Sequence, residues 1–503
     1  MHTLLLAAAL VLGIAPPAAG DDPFTADVTV ATAAPGKKLQ FPDATRLADG
    51  RLLAVYREGA SHSGQDGRIL QVSSSDAGRT WSTPREIVQT PVDDRDPKIM
   101  VTRSGTVLLS YFAIDWKPTA PHTLLGTFVM RSADGGGTWS APVKVGTAMD
   151  GGTGPVDQSY RLGWAANHGP IVELSGGDLL IPLYGTLPDN KWQRATVVRS
   201  TDGGRTWPAS SERTIASGSV FHFQEPNLSV LRGGQLVSLI RTTAPTAYLS
   251  RSFDGGRTWS QAEATDLPAS SHHQLTLRNG DILLTYGDLS HRFSSNRETV
   301  GRLIRHPERS WNGQRDLLLY DSGTGDQANP TSVEVSPGRF LTLSFDTNTA
   351  SVVGVFSRQN EWLRDGAEPV DLLALHKAGK LTVDTDMNWT SATYPLVGPL
   401  GAIDGNLGYW ASAVNGRSYT VNFTDPTKVR ALGVSLKPGY KESAVVQVTS
   451  DGTNWRELHR FDGARTDLPE IIKVTGEPVT AIRVQLTDTF GAWGQVTELS
   501  VYN

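Results

Sequence analysis

Cysteine is absent from all 503 residues, so no disulfide can staple this chain and its core must hold without one. An excess of one charge is missing too: 46 Lys+Arg against 51 Asp+Glu leaves a formal charge of −5, with no basic block. That excludes the electrostatic footprint of a nucleic-acid binder. After the N-terminus no apolar run approaches the ~20 residues of a membrane-spanning helix. The one marked apolar run opens the chain, where MHTLLLAAALVLGIAPPAAG is hydrophobic from Leu4 to Ile14 and ends in small residues. It has the length of a signal-peptide core and is too short to span a bilayer, although no Lys or Arg precedes it. The expectation is a signal peptide over residues 1–20, a mature chain beginning near Asp21, and secretion.

What the chain has in quantity is glycine and tryptophan, 51 and 13 residues, which suits a globular protein with many turns. A length of 503 fits two domains, or one large all-β unit with an appended module. One pattern recurs in FPDATRLADGRLLAVY, RDPKIMVTRSGTVLLSYF, GPIVELSGGDLLIPLY, EPNLSVLRGGQLVSLI, HHQLTLRNGDILLTY and NPTSVEVSPGRFLTLSF. Their turn glycines are Gly50, Gly105, Gly177, Gly234, Gly280 and Gly338. Alternating apolar residues, a tight turn and a second apolar strand make a β-hairpin. Six hairpins, each with room for two more strands, predict an all-β fold, a six-bladed β-propeller of four-stranded sheets.

A second repeat runs alongside. SSDAGRTW (Ser74–Trp81), SADGGGTW (Ser132–Trp139), STDGGRTW (Ser200–Trp207) and SFDGGRTW (Ser252–Trp259) fit S-x-D-x-G-x-T-W, and RHPERSW, ending at Trp311, is a degenerate copy. The Asp can bond turn N–H groups, the Gly takes a positive φ, and the Trp packs between strands. These aspartates therefore read as turn caps, not as catalysts. The motif is the Asp-box, through which residues 21–378 resemble the sialidase superfamily and its six-bladed propeller. After Ala378 the rhythm changes. AIDGNLGYWASAVNGRSYTVNF, VVQVTSDGTNWREL and AIRVQLTDTFGAWGQVTELSVYN resemble a discoidin (F5/8 type C) module over residues 379–503, a β-sandwich jelly roll common as a carbohydrate-binding appendage. Trp410 and Trp493 are its candidate glycan-binding aromatics, or else core.

The sialidase resemblance implies three arginines clamping a substrate carboxylate, an Asp acid/base, and a Tyr nucleophile assisted by a Glu. In QEPNLSVLRGGQLVSLIR, Glu225 falls where the assisting Glu precedes Pro, and Arg241 where the second arginine ends the next strand. The third matches Arg302 in ETVGRLIRHP, with Arg305 as the alternate. Gln40, in LQFPDATRLADG, replaces the first arginine, and Asn329, in DQANPTSVEV, stands at the Tyr position. Asn cannot act as an aryloxide nucleophile.

The segment REGASHSGQDG, Arg57 to Gly67, occupies the family's acid/base loop. The aspartate position aligns near Gly64, with His62 two residues before it and Asp66 two after. Histidine suits proton transfer near neutral pH, and a carboxylate from Asp66 or Glu58 would fix its tautomer. Arg57 and Arg95, the latter in DDRDPK, are candidate replacements for the missing arginine. His168, in NHGPIVEL, and the pair His272–His273 each begin an inner strand and are expected to bind sugar hydroxyls. No spacing resembles a zinc site, and no cofactor is expected, with a structural calcium in the C-terminal module left open.

The expected protein is a secreted, monomeric exo-glycosidase of sialidase type, acting on a terminal acidic sugar of a glycan or polysaccharide. His62, Glu225 and Asp66 form its catalytic group; Arg57, Arg95, Arg241, Arg302, His168 and Asn329 bind substrate. Two rivals are a propeller polysaccharide lyase, or an exo-glycosidase acting at a uronate-linked terminal sugar, built on a His base and an arginine clamp, and a non-catalytic glycan-binding protein on a sialidase scaffold.

Overall fold

The computed structural model describes residues 25–150, 152–278, 280–336, 338–362, 369–392, 397–404, 410–437, 440–464, 470–474, 476–491 and 493–503. The expected signal peptide lies outside them. The described chain is all-β and forms two groups of sheets. In the first group each repeat hairpin is extended by two further strands, giving six antiparallel sheets. Their inner strands, nearest one another, are Lys38–Arg46, Asp93–Val101, Trp164–Asn167, Phe223–Val230, Ala269–Thr276 and Gln327–Ser336. Neighbouring sheets pack in chain order, and the last returns to the first, where Gln327–Ser336 packs against Lys38–Arg46. The second strands are buried over most of their length, and Leu52–Gly59 (LLAVYREG) over all of it, because both faces of the sheet are covered.

The N-terminus behaves differently from the hairpin rhythm. Val28–Thr32 does not join the first sheet but pairs antiparallel with Ser351–Arg358, supplying the outer strand of the last one. The two ends of this region therefore share a sheet.

Five inner strands carry the same irregularity. The ladder shifts between Gln40 and Asp43, Arg95 and Lys98, Gln224 and Asn227, Ser270 and His273, and Ala328 and Thr331. Inside each shift one non-glycine residue has a positive φ: Phe41 55°, Asp96 48°, Glu225 49°, Ser271 45° and Asn329 46°. In four of the five the next residue is proline (Pro42, Pro97, Pro226, Pro330), which has no N–H to give the ladder. Such a bulge turns a side chain out of the sheet's alternation. The third sheet solves the same problem by a break. Trp164–Asn167 and Val172–Glu173 both pair with Leu179–Leu187, and His168 sits in the gap between them, not at the start of a strand as expected. Gly169 is required there, since a Cβ would stand 2.6 Å from the Pro226 carbonyl oxygen of the next sheet.

The second group holds a five-stranded sheet, ordered Leu381–Thr385, Ser418–Lys428, Pro478–Asp488, Glu442–Thr449 and Arg456–Ala464. A four-stranded sheet runs Pro369–Val370, Glu498–Tyr502, Ala431–Ser435, Glu470–Lys473. Both contribute to one apolar core, Tyr419, Val446 and Val484 from the first, Leu432, Val434 and Leu499 from the second. The helix Leu372–Lys377, capped by Asp371 accepting from the Ala374 N–H, puts Leu372 into that core. Pairing and packing thus draw residues from 369 onward into this unit, ahead of the expected division at 379. Among the described residues no helix is long and apolar enough to cross a membrane, and no group of three or more His, Asp or Glu side chains could hold a metal ion.

Candidate active site

The five bulge residues and His168 converge on one cavity of about 340 Å³. Each is the same repeat position, yet the side chains differ: Phe41, Asp96, His168, Glu225, Ser271 and Asn329. The backbone device is repeated; the chemistry it presents is not.

The loop Arg57–Gly67 reaches the cavity through His62 alone among its expected groups. Arg57 is fully buried beneath it and donates from Nε to Asp93 Oδ1 (2.6 Å) and from one terminal nitrogen to Gln40 Oε1 (2.8 Å) and the Ser61 carbonyl (2.9 Å). It does not line the cavity, so the expected clamp role moves to a structural one: Arg57 fixes the loop. The loop's glycines follow from this, because a Cβ on Gly67 would collide with Asp93 and one on Gly59 would stand 2.8 Å from the Arg57 guanidinium. Asp66 also turns away, pairing with Lys37 and accepting from the Ala60 N–H at 3.0 Å. Glu58 likewise pairs with Arg68, at 2.6 Å.

The carboxylate that faces His62 comes from the far end of the repeat array. Asp326 Oδ1 lies 3.1 Å from His62 Nδ1, with the Gln40 amide nitrogen 2.9 Å from the same ring atom. Gln40, at the position of the missing arginine, accepts from Arg57 and donates to Asp326 Oδ2 (3.4 Å), tying Arg57 to the carboxylate that faces the imidazole. A carboxylate is the stronger partner for Nδ1–H, since charge-assisted bonds are roughly twice as strong as neutral ones. That orientation turns Nε2 toward Arg95, whose terminal nitrogen is 3.5 Å away. Burial would raise the Asp326 carboxyl, but its bond to His62, with Arg297 nearby, holds it below the usual range.

Three arginines from three sheets line the cavity: Arg95, Arg241 and Arg297. Arg95 donates to the His62 carbonyl (3.0 Å) and to Asp93 Oδ2 (3.2 Å), and lies over the Phe41 ring at 4.8 Å. Its Nε makes no hydrogen bond, and neither does that of Arg241. Arg241 donates to Glu225 Oε1 (2.7 Å), while Glu225 Oε2 accepts the Ser271 N–H (2.8 Å). Burial alone would raise Glu225, but Arg241 and that N–H outweigh it and keep the carboxylate ionised. Arg297 donates to the Gln327 carbonyl at 3.2 Å and to Asn329 Oδ1 at 3.1 Å.

Arg302, expected as the third clamp, is not in the cavity. It is 1 % exposed and bonds Asp316 through Nε (2.8 Å) and a terminal nitrogen (2.6 Å), with Asp266 at 2.5 Å on the other side. Arg297 takes that place, five residues earlier in the chain, in the loop before Thr299–Ile304. The alternate Arg305 is not among the cavity residues either. His272 and His273 are also withdrawn: His272 Nε2 meets the Leu239 carbonyl (2.9 Å), His273 Nδ1 accepts the Ser332 N–H (3.2 Å), and burial pushes them down to about 4 and about 3. His168 remains, its Nε2 4.0 Å from Glu225, kept neutral by burial and with neither ring nitrogen bonded.

Sequence reasoning passed over Asp96, Arg297 and Asp326. Asp96 carried a signal, since it precedes Pro97 at the same repeat offset as Glu225 and Asn329. Burial pushes its carboxyl up despite Arg95, whose Nε is 3.5 Å from Oδ2. The cavity's other wall is aromatic and aliphatic, formed by Phe112, Ile114, Trp116, Tyr160 and Trp164.

Residues 93–340 match the family described as BNR repeat-like domain, and residues 382–499 match the F5/8 type C domain. The first match lies within the six sheets and the second within the second group of sheets. A protein of unknown function from Dyadobacter fermentans is 22% identical over 65% of this chain and 96% of its own, with a TM-score of 0.55. The Hadza microbial sialidase Hz136 is 17% identical over 65% of this chain and 66% of its own, TM-score 0.51. An α-L-arabinanase from Penicillium chrysogenum, complexed with arabinobiose, is 14% identical over 67% of this chain and 99% of its own, TM-score 0.50. No curated protein matches the chain. This fold resembles both a sialidase and an arabinanase, so the fold does not name the sugar.

Proposed function

We propose that this protein is a secreted exo-acting carbohydrate enzyme of glycosidase type that takes a terminal acidic sugar, on a six-bladed propeller carrying a β-sandwich jelly roll. One observation carries the reading: Arg95, Arg241 and Arg297 converge on a cavity of about 340 Å³ that His62, backed by Asp326, also enters. Guanidinium groups bind carboxylates in bidentate, charge-assisted pairs, and a cavity at the small end of ligand sites favours one terminal sugar over a chain. His62 exchanges the proton through Nε2. Asp326 orients the ring and stabilises its charged form, the logic of a His–Asp pair. Asp96, whose burial favours the protonated carboxyl, serves as the complementary acid. Glu225 is an ion-paired anion that positions Arg241.

A second reading draws on one specific feature. Asn329 stands at the expected nucleophile position and cannot form the glycosyl–enzyme bond of a retaining mechanism. Lyase chemistry needs no such bond. His62 would take the proton from the carbon α to a uronate carboxylate, the C–H bonding pair would form the C=C bond, and the β C–O bond would break with its pair going to the oxygen, which Asp96 would protonate. The arginines would stabilise the enolate-like intermediate.

The test is a glycan-product screen recording both released sugars and absorbance of unsaturated uronates. A saturated monosaccharide identifies a hydrolase and new absorbance a lyase. Neither product from any acidic glycan would overturn the enzymatic reading in favour of a binding protein. N-terminal sequencing of exported material, expected to begin near Asp21, tests secretion.

A further inference from the structure

A second cavity, of about 510 Å³, lies between the outer edges of the third and fourth sheets, away from the arginines. It is framed by the strand Arg213–Ala216, the segment that follows it, and the stretch between Trp259 and Ala262. Not one of its lining side chains is charged. Phe221 packs 5.2 Å from Phe223 and 5.0 Å from Tyr248, giving an aromatic wall, while Ser217, Ser219 and Gln261 supply hydroxyls and an amide.

The Trp259 indole N–H is buried away from this cavity, as the Trp207 N–H is, so the polar groups open to an occupant are those of Ser217, Ser219 and Gln261. A purely apolar occupant would cover those groups and leave them unpaired, and a charged one would find no counter-charge. What fits is a neutral molecule with C–H faces for the aromatic rings and hydroxyls for the polar groups.

We propose that this cavity is a second glycan-binding site, taking neutral sugar units. It is continuous in sequence with the first cavity, because Phe221 and Phe223 line one while Gln224 and Glu225 line the other. Together the two sites suit a heteropolysaccharide with an acidic terminus and neutral units elsewhere; that pairing, though not the site itself, rests on the function proposed above.

The test is affinity electrophoresis of the full chain through gels cast with soluble neutral arabinan, galactan or glucan, with polygalacturonate as the acidic control. At least one neutral polymer should retard the protein. Phe221→Ala should weaken that retardation by about tenfold in Kd, the scale of one aromatic contact. Val220→Asp, at a position 79% exposed and so tolerant of substitution, should do the same by adding charge at the rim. Val220→Asp should retain its melting temperature, and both variants should retain any turnover in the first cavity. The proposal is overturned if no neutral polymer retards the protein, if both variants bind as well as the parent, or if Trp389→Ala and Trp493→Ala in the discoidin module abolish all retardation. Because the readout is binding, retardation is measurable whether or not the first cavity turns over a substrate.

Discussion

The Asp-box turns and the inner-strand bulges belong to the same repeats, yet they use carboxylates in opposite ways. In the boxes the pattern never varies. Asp76, Asp134, Asp202 and Asp254 each take the hydroxyl of the Ser two residues before and both the N–H and hydroxyl of the Thr four residues after. Asp451 of the discoidin module builds a similar turn with Thr449, Thr453 and Asn454. Every such oxygen is satisfied inside its own turn, and nothing is left to offer a ligand. At the bulges the backbone repeats and the side chains do not. Their polar groups reach across sheets, as Glu225 does to Ser271, or stay unbonded, as the His168 ring does. Repetition of a side chain here means local structure; variation at a repeated backbone position means chemistry.

That division can be tested from its strongest consequence downward. Arg241→Ala should remove turnover and also cost about 3–5 kcal/mol in chemical denaturation, because Glu225 is left as a buried, unpaired charge. Adding Glu225→Gln should restore much of the stability and none of the rate; recovered turnover would reduce the pair to scaffolding. Next, His62→Ala should lower the rate by about 10²–10⁴, the range for general acid–base catalysis, with melting unchanged. Asp326→Asn should cost less, and Asp66→Asn almost nothing, which rate measurements on all three would resolve. An Asp66 effect as large as that of Asp326 would return the loop to its expected reading.

A box variant should show the opposite profile. Asp202→Ala should lower the melting temperature by a few degrees while kcat on a small substrate stays the same. The smallest effect concerns pH. Burial depresses His272 and His273 to about 4 and about 3, so between the ordinary histidine value and those values the unfolded chain binds more protons. Their stabilising contribution is complete above about pH 6.5 and drains away as the pH falls. Melting curves at neutral pH and near pH 4.5 should therefore diverge less in His273→Gln than in the parent.

Much of this molecule is legible in the residues themselves. Turn glycines and alternating apolar positions locate the hairpins, because a period of two and a tight turn leave little choice of local structure. The Asp-boxes are equally readable, since every group they bond lies within four residues in the chain. Glu225, Arg241, Arg95 and His62 could be named because each sits at a strand end or loop that repeat counting locates.

The other half of the site was decided only in three dimensions. Arg297 and Arg302 stand in one short stretch, and nothing local says that Arg302 turns to Asp266 and Asp316 while Arg297 faces the cavity. His62 has Asp66 four residues away but faces Asp326, 264 residues distant, because packing the last sheet against the first brings those segments together. The chain by itself determined where it turns and which positions repeat, since those are short-range consequences of backbone geometry. Which charges meet in the cavity depends on how six sheets pack around it, and only the tertiary structure decided that.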